Sequence, residues 1–436
     1  MRGLTSTIIL LVALAGLGGY IYFVESKREP TDAAAKAKAF ELTAENIDEL
    51  QIRNATGGTS RVRREGGVWK LVEPVKADAD NGVVGSVTSN LASLEVQRVV
   101  EESPKDLAQY GLNPARIEVG FRLRDQKDFQ RLLVGEKTPT GGDLYAKRAN
   151  ENRVILVASF LDSILNKTAL ELRDKTILKV DRDKAQGLDV VHGATTIQFV
   201  KNGLDWRIVK PFTARAEYGP TEGLLTKLTS TNMLSVISEG GDLAPYGLDH
   251  PSLSIAVLAG SSRATLLLGK LGKDNTYFAK DASRPVVFSV EQSLYNDFTK
   301  DVSTFRRKDL FDARSFSANW IELQRGATTV VFQKTTADGK DTWRNAAGQT
   351  FDTAKVDDVL TKLSNLQAQS FQSAAHPSLA NPVLVATIRF DESKTETVTF
   401  GRSGKDVFAS RSEDAGAARI DTTGFDVAMK AVDGLK

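Results

Sequence analysis

The sequence predicts an α+β protein in which an N-terminal transmembrane helix is followed by three tandem repeats. Each repeat is expected to combine short antiparallel strands with one main helix. One long charge-free stretch, at residues 3–24, predicts the membrane helix. Three tryptophans, Trp69, Trp206 and Trp343, predict the repeats, because they are 137 residues apart (206 − 69 and 343 − 206) and similar motifs surround them.

The charge-free stretch has the length of a membrane anchor. As a helix, residues 3–24 would rise roughly 33 Å, enough to cross a hydrocarbon core of about 30 Å. A small-residue cleavage motif occurs at residues 13–15, but the apolar run continues to Phe23, so we expect the segment to be retained. Ala15 and Gly19 lie four residues apart, a pattern that allows close packing of membrane helices.

The composition is consistent with a protein of the cell envelope. The chain has no cysteine, and its net charge is +2 from 57 basic and 55 acidic residues. A charge so small predicts no field that would attract nucleic acid. We expect a single-pass protein of the inner membrane, with a short cytoplasmic head and the bulk of the chain in the periplasm.

The repeat landmarks divide the chain into five parts. We predict an anchor at residues 1–28, a stalk at 29–40, and repeat units at 41–178, 179–312 and 313–436. Alternating apolar and polar residues at 193–201 and 326–334 predict half-buried strands before Trp206 and Trp343. After each tryptophan an apolar stripe at helical spacing, such as Val356, Val359 and Leu363, predicts the main helix.

A turn motif and a hairpin follow each predicted helix. The turn reads Tyr-Gly-Leu with a proline close behind, beginning at Tyr110 and at Tyr246, and the third copy replaces it with a sequence that starts at Ser378. The hairpin begins with Leu-x-Gly in the first two copies and Thr-Phe-Gly in the third, at Gly135, Gly269 and Gly401. We interpret the three tryptophans and two tyrosines as structural markers of the repeat.

No motif predicts a catalytic, cofactor or metal site. His250 and His376 share the tetrapeptide His-Pro-Ser-Leu, but neither they nor His192 show metal-ligand spacing. The loops at 269–274 and 401–406 read G-x-x-G-K-D, which lacks the Ser or Thr and the following helix of a phosphate-binding loop. We interpret these residues, and the adjacent acids at 101–102 and 357–358, as structural or solvated.

From about Phe40 to its end the chain resembles bacterial proteins with the uncharacterised DUF4340 domain. The resemblance is carried by the proline that closely follows Trp69 and Trp206, by the Tyr-Gly-Leu turns, and by the hairpin between Leu-x-Gly and Ala-Lys. It implies an N-terminal anchor and an association with gliding-type ABC transporter subunits. It supplies no catalytic residues.

Three functions are compatible with these features. The first is a non-enzymatic accessory or scaffold subunit that contacts the membrane subunits of an ABC transporter. The second is an extracytoplasmic binding protein for a lipid, glycan or peptide, held in a groove between repeats. The third is an enzyme that processes envelope polymers, which would need inward-facing carboxylates in a cleft.

Overall fold

The structure, a computed structural model, describes residues 36–337, 339–391 and 393–435. The chain divides into two compact units, one ending at Lys175 and the other beginning at Thr176. The proposed anchor at residues 3–24, with Ala15 and Gly19, lies outside the described residues. In the part of the chain that is described, no helix is long and apolar enough to cross a membrane.

The described residues form an α+β fold with three repeats, as the sequence predicts, and each repeat contains one nine-stranded antiparallel sheet. In the first repeat the strands are β1 (Ile47–Arg53), β2 (Thr59–Glu65), β3 (Val68–Glu73), β4 (Ala77–Asp78), β5 (Arg98–Glu101), β6 (Ile117–Leu123), β7 (Gln130–Lys137), β8 (Asp143–Arg148) and β9 (Val154–Ala158).

The other two sheets belong to the second compact unit. The second repeat contains β10 (Gly187–His192), β11 (Thr195–Asn202), β12 (Asp205–Lys210), β13 (Ala214–Arg215), β14 (Ser235–Ser238), β15 (Leu253–Ala259), β16 (Ser262–Leu271), β17 (Thr276–Asp281) and β18 (Val287–Glu291). The third contains β19 (Ala318–Arg325), β20 (Thr328–Ala337), β21 (Lys340–Asn345), β22 (Thr350–Phe351), β23 (Ala368–Gln372), β24 (Leu384–Phe390), β25 (Lys394–Ser403), β26 (Asp406–Arg411) and β27 (Ala417–Ile420).

All three sheets have the same strand order, which in the first repeat is β4-β3-β2-β1-β6-β7-β8-β9-β5. The first strand of each sheet pairs with the second and with the sixth, so each sheet is centred on a pair of strands that the main helix separates in sequence. The third repeat keeps this order although it lacks both the proline after its tryptophan and the Tyr-Gly-Leu turn.

Seven α-helices occur in the described part of the chain. They are α1 (Asn81–Ala92), α2 (Leu161–Leu165) and α3 (Ala169–Leu172) in the first repeat, α4 (Tyr218–Ser230) and α5 (Gln292–Phe298) in the second, and α6 (Thr353–Ser364) and α7 (Thr422–Asp433) in the third. The predicted main helices are α1, α4 and α6.

Each main helix buries one apolar face against its sheet. The predicted stripe of α6 is fully buried, because Val356, Val359 and Leu363 have no exposed surface. Asp352 caps this helix by accepting a hydrogen bond from the Ala354 amide at 3.0 Å. Each repeat has its own cluster of buried apolar residues, so each has its own hydrophobic core.

Candidate functional site

The three marker tryptophans lie in the cores and contact the main helix of their own repeat. The indole Nε1 of Trp206 donates to Oε1 of Glu222 on α4 at 2.9 Å, and that of Trp343 donates to Oδ1 of Asp357 on α6 at 3.0 Å. In the first repeat the contact is different, since the backbone N–H of Trp69 donates to Oδ1 of Asn81 at 3.0 Å. Each tryptophan therefore helps to fix the position of the main helix on its sheet.

Tyr110 and Tyr246 end short 3₁₀ turns, at Ala108–Tyr110 and Ala244–Tyr246, that lie directly on the hairpin glycines. A Cβ atom added at Gly135 or Gly269 would overlap the carbonyl oxygen of the tyrosine. At Gly401 it would overlap that of Ser378 in the same way. The glycine is required because backbone crosses backbone at this point.

The three histidines have separate structural surroundings. Nε2 of His192 lies 2.9 Å from the hydroxyl of Tyr295, and the ring of His376 stacks on Phe408 with centroids 3.6 Å apart. His250 is exposed at a turn. Among the described residues, no group of three His, Cys, Asp or Glu side chains could hold a metal ion.

The second compact unit contains a polar cleft between the second and third repeats, with a volume of about 560 Å³. We call it the inter-repeat cleft. It is lined by Asn202, Asp205, Trp206, Arg207, Arg215, Ala216, Arg307, Asp312, Phe390, Asp391, Lys394, Thr395, Arg411 and Glu413.

Arg215, at the end of β13, joins the two repeats at the base of the cleft. Its guanidinium donates to Oδ1 of Asp312 at 2.8 Å and to Oδ2 of Asp414 at 3.0 Å. A further hydrogen bond of 2.7 Å reaches the carbonyl of Asp309. The side chain of Arg215 is only 9% exposed, so this is a buried, multiply bonded cation.

Three arginines surround the Asp312 carboxylate. Arg215 lies 2.8 Å from Oδ1, Arg307 lies 3.0 Å from Oδ1 and Arg411 lies 3.0 Å from Oδ2. Burial alone would raise the pKa of Asp312, but these three positive charges outweigh it and hold the pKa below its usual range. Asp312 therefore stays ionised and cannot serve as a proton donor near neutral pH.

The pKa of Glu396, on β25, is shifted in the opposite direction. Burial raises its pKa, although two backbone N–H groups and the nearby Arg411 favour the charged form. Those N–H groups, of Asp312 and Ala313, donate to its two oxygens at 2.9 and 2.8 Å. Because the side chain has no exposed surface, this carboxyl has no access to a substrate.

Sequence patterns do not reveal this cluster of arginines and carboxylates. Arg215 and Asp414 are 199 residues apart, and an isolated arginine or aspartate carries no periodic signal. The sequence contains one indication of it: the links around residues 178–184 and 312–317 are short, which predicts that adjacent repeats pack against each other. The adjacent acids at 101–102 and 357–358 lie elsewhere and have local partners, as Asp358 pairs with Lys362 and Glu101 accepts from Tyr110.

The geometry defines a class of protein, namely a repeat protein of three α+β units, two of which are joined by a buried ionic network. The family model described as a domain of unknown function (DUF4340) matches residues 69–239 and 206–383. The two matches begin at Trp69 and Trp206 and together span well over half of the chain. The chain belongs to the DUF4340 family.

Comparisons beyond the family add no functional information. No curated protein matches the chain. The DnaN sliding clamp (DNA polymerase III subunit beta) of Pseudomonas aeruginosa bound to griselimycin is 9% identical, over 89% of this chain and 94% of the clamp, with a TM-score of 0.15. Another structure of DNA polymerase III subunit beta from P. aeruginosa is 9% identical, over 89% of this chain and 95% of its own, with a TM-score of 0.17. TM-scores this low do not indicate a common fold.

Proposed function

We propose that the protein is a non-enzymatic scaffold of the cell envelope and an accessory subunit of an ABC transporter. In this proposal, residues 3–24 hold it in the inner membrane as a single-pass anchor. The three repeats lie in the periplasm and dock on the membrane subunits of the transporter.

The observation that best supports the scaffold role is that the charged groups at the base of the inter-repeat cleft bond to one another. The carboxylate at its base, Asp312, is ionised and surrounded by arginines, and the carboxyl with a raised pKa, Glu396, is inaccessible. Asp312 cannot supply the protonated carboxyl of a general acid, and Glu396 cannot reach a substrate, so neither group fills the general-acid role that an envelope-polymer-processing glycosidase would require. A buried ionic network of this kind instead supports a fixed arrangement of two repeats, which suits a docking surface.

The envelope location and the transporter partner rest on sequence. Residues 3–24 have the length and composition of a membrane span, and the family resemblance implies a link with transporter subunits. Ala15 and Gly19 support a specific helix contact within the membrane.

The test is affinity purification of the tagged full-length protein from detergent-solubilised membranes, with partners identified by mass spectrometry. Transporter membrane subunits should co-purify. Gly19→Leu should reduce their recovery, because leucine blocks close helix approach. The adjacent Gly18→Leu, about 100° around the helix, is the matched control and should not. Recovery of no transporter subunit with correctly inserted wild-type protein would refute the proposal.

A further inference from the structure

The inter-repeat cleft has properties of a ligand site that a purely structural joint does not need. Its volume of about 560 Å³ lies within the range of about 300–1,000 Å³ found for small-molecule pockets. A joint is strongest when its polar groups are all satisfied, whereas several groups on the walls of this cleft have no protein partner among the described residues.

Arg411 lines the cleft, but it is buried and already paired. Its side chain is 7% exposed, and its Nη1 atom bonds to the carboxylates of Asp312 and Glu396. The Nε atom is buried and has no hydrogen-bond partner in the described part of the chain. Because this Nε atom is itself buried, a ligand in the cleft could not reach it, and the groups available to a ligand lie on the rim.

The rim of the cleft offers hydrogen-bond donors and acceptors that have no protein partner among the residues that the structure describes. Asp205 and Thr395 are exposed on opposite repeats, and neither side chain has a hydrogen bond or ion pair within residues 36–337, 339–391 and 393–435. Asn202, also on the rim, adds an amide that both donates and accepts. The cleft therefore offers donors and acceptors side by side.

The charge of the lining argues against a strongly charged ligand. The described lining carries five cations (Arg207, Arg215, Arg307, Lys394 and Arg411) and four carboxylates (Asp205, Asp312, Asp391 and Glu413). An anion would meet four negative charges and a cation five positive ones.

We infer that the inter-repeat cleft binds a neutral, polyhydroxylated ligand, a short oligosaccharide. Each sugar hydroxyl both donates and accepts a hydrogen bond, which matches a lining that mixes unused donors and acceptors at near-zero net charge. The inference does not depend on the transporter contact, because it concerns a surface within the second compact unit.

The experiment uses the detergent-purified full-length protein on an array of neutral and acidic oligosaccharides and short neutral peptides. Binding of the strongest oligosaccharide is then measured by saturation-transfer NMR. The double variant Asp205→Ala and Thr395→Val removes two exposed groups of the rim without touching the buried network. Glu65→Ala, an exposed carboxylate in the corresponding hairpin of the first repeat, is the matched control.

A neutral oligosaccharide should bind the wild-type protein and Glu65→Ala equally well. It should bind the double variant about tenfold more weakly, because two hydrogen bonds are lost. The inference is overturned if no oligosaccharide binds, if acidic oligosaccharides or peptides bind better than neutral sugars, or if the double variant binds as tightly as wild type. Because co-purification of the transporter is measured separately, failure here leaves the scaffold proposal standing.

Discussion

At the scale of single residues, the hairpin glycines show why a short motif recurs in all three repeats. Each of the three hairpin glycines, Gly135, Gly269 and Gly401, lies under the carbonyl oxygen of a residue in a 3₁₀ turn. The motif can lose its tyrosine, as at Ser378, but it retains the glycine because any Cβ atom would overlap the turn.

Replacing Gly269 with alanine should therefore destabilise the second repeat by about 1–3 kcal/mol or more, as expected for forced overpacking. Gly223 is the control, because it lies in α4 and a Cβ atom added there would meet no atom within 4 Å. Gly223→Ala should stabilise by about 0.5–1 kcal/mol, since alanine favours the helix. Thermal unfolding of the purified variants measures both, and equal melting temperatures would contradict the interpretation of the motif.

The pKa of Asp312 gives a second prediction, on pH. Burial opposes ionisation of this carboxyl, but the arginines lower its pKa in the folded protein. The ionised form is thus favoured by folding, and its contribution to stability is complete above the unfolded pKa of about 3.9. That contribution is lost as the pH falls through the lower, folded pKa.

Asp312→Asn should accordingly be less stable than wild type at neutral pH, and the difference should shrink as the pH falls below about 4. Asp358→Asn is the control, because Asp358 forms an exposed pair with Lys362 that contributes about 0–1 kcal/mol. Melting temperatures measured from about pH 3 to about pH 7, a range that includes the unfolded pKa of about 3.9, test this. A difference that stays constant or widens in acid would show that Asp312 does not act through its charge.

At the scale of secondary structure, regular patterns were predictable and long-range polar contacts were not. The stripe of α6 follows from its spacing, and the common strand order follows from similar hairpins. The carboxylates that accept from Trp206 and Trp343 lie 16 and 14 residues further along the chain. That near-constant spacing was a usable signal, whereas the Arg215 network joins separate repeats and had none.

Truncating Trp206 tests how firmly a main helix depends on its tryptophan. Trp206 is 2% exposed, packs in the core of its repeat and donates to Glu222. Trp206→Ala should cost about 3–5 kcal/mol, and Trp206→Phe, which keeps much of the packing but leaves Glu222 without this donor, should cost about 1–3 kcal/mol. Unchanged thermal unfolding in Trp206→Ala would show that the indole does not hold α4 in place.

At the scale of the whole molecule, deleting a repeat should have different effects in the two compact units. The second and third repeats share the Arg215 network, so deleting either would leave buried charges without partners. The first repeat belongs to a separate unit that ends at Lys175. It can therefore be removed without breaking that network, which makes it the appropriate deletion for a functional test.

The last prediction separates a docking protein from an enzyme. Interface energy is spread over a few anchors and many near-neutral contacts, so no histidine should be indispensable. Replacing His192, His250 and His376 together by Gln should leave co-purification of the transporter and the phenotype of a complemented deletion strain near normal. Removing residues 41–175, or exchanging residues 3–24 for an unrelated membrane span, should abolish both at matched protein levels. A triple-histidine variant that is stable, correctly located and inactive would contradict the scaffold proposal and direct the search to acid–base or metal chemistry at those turns.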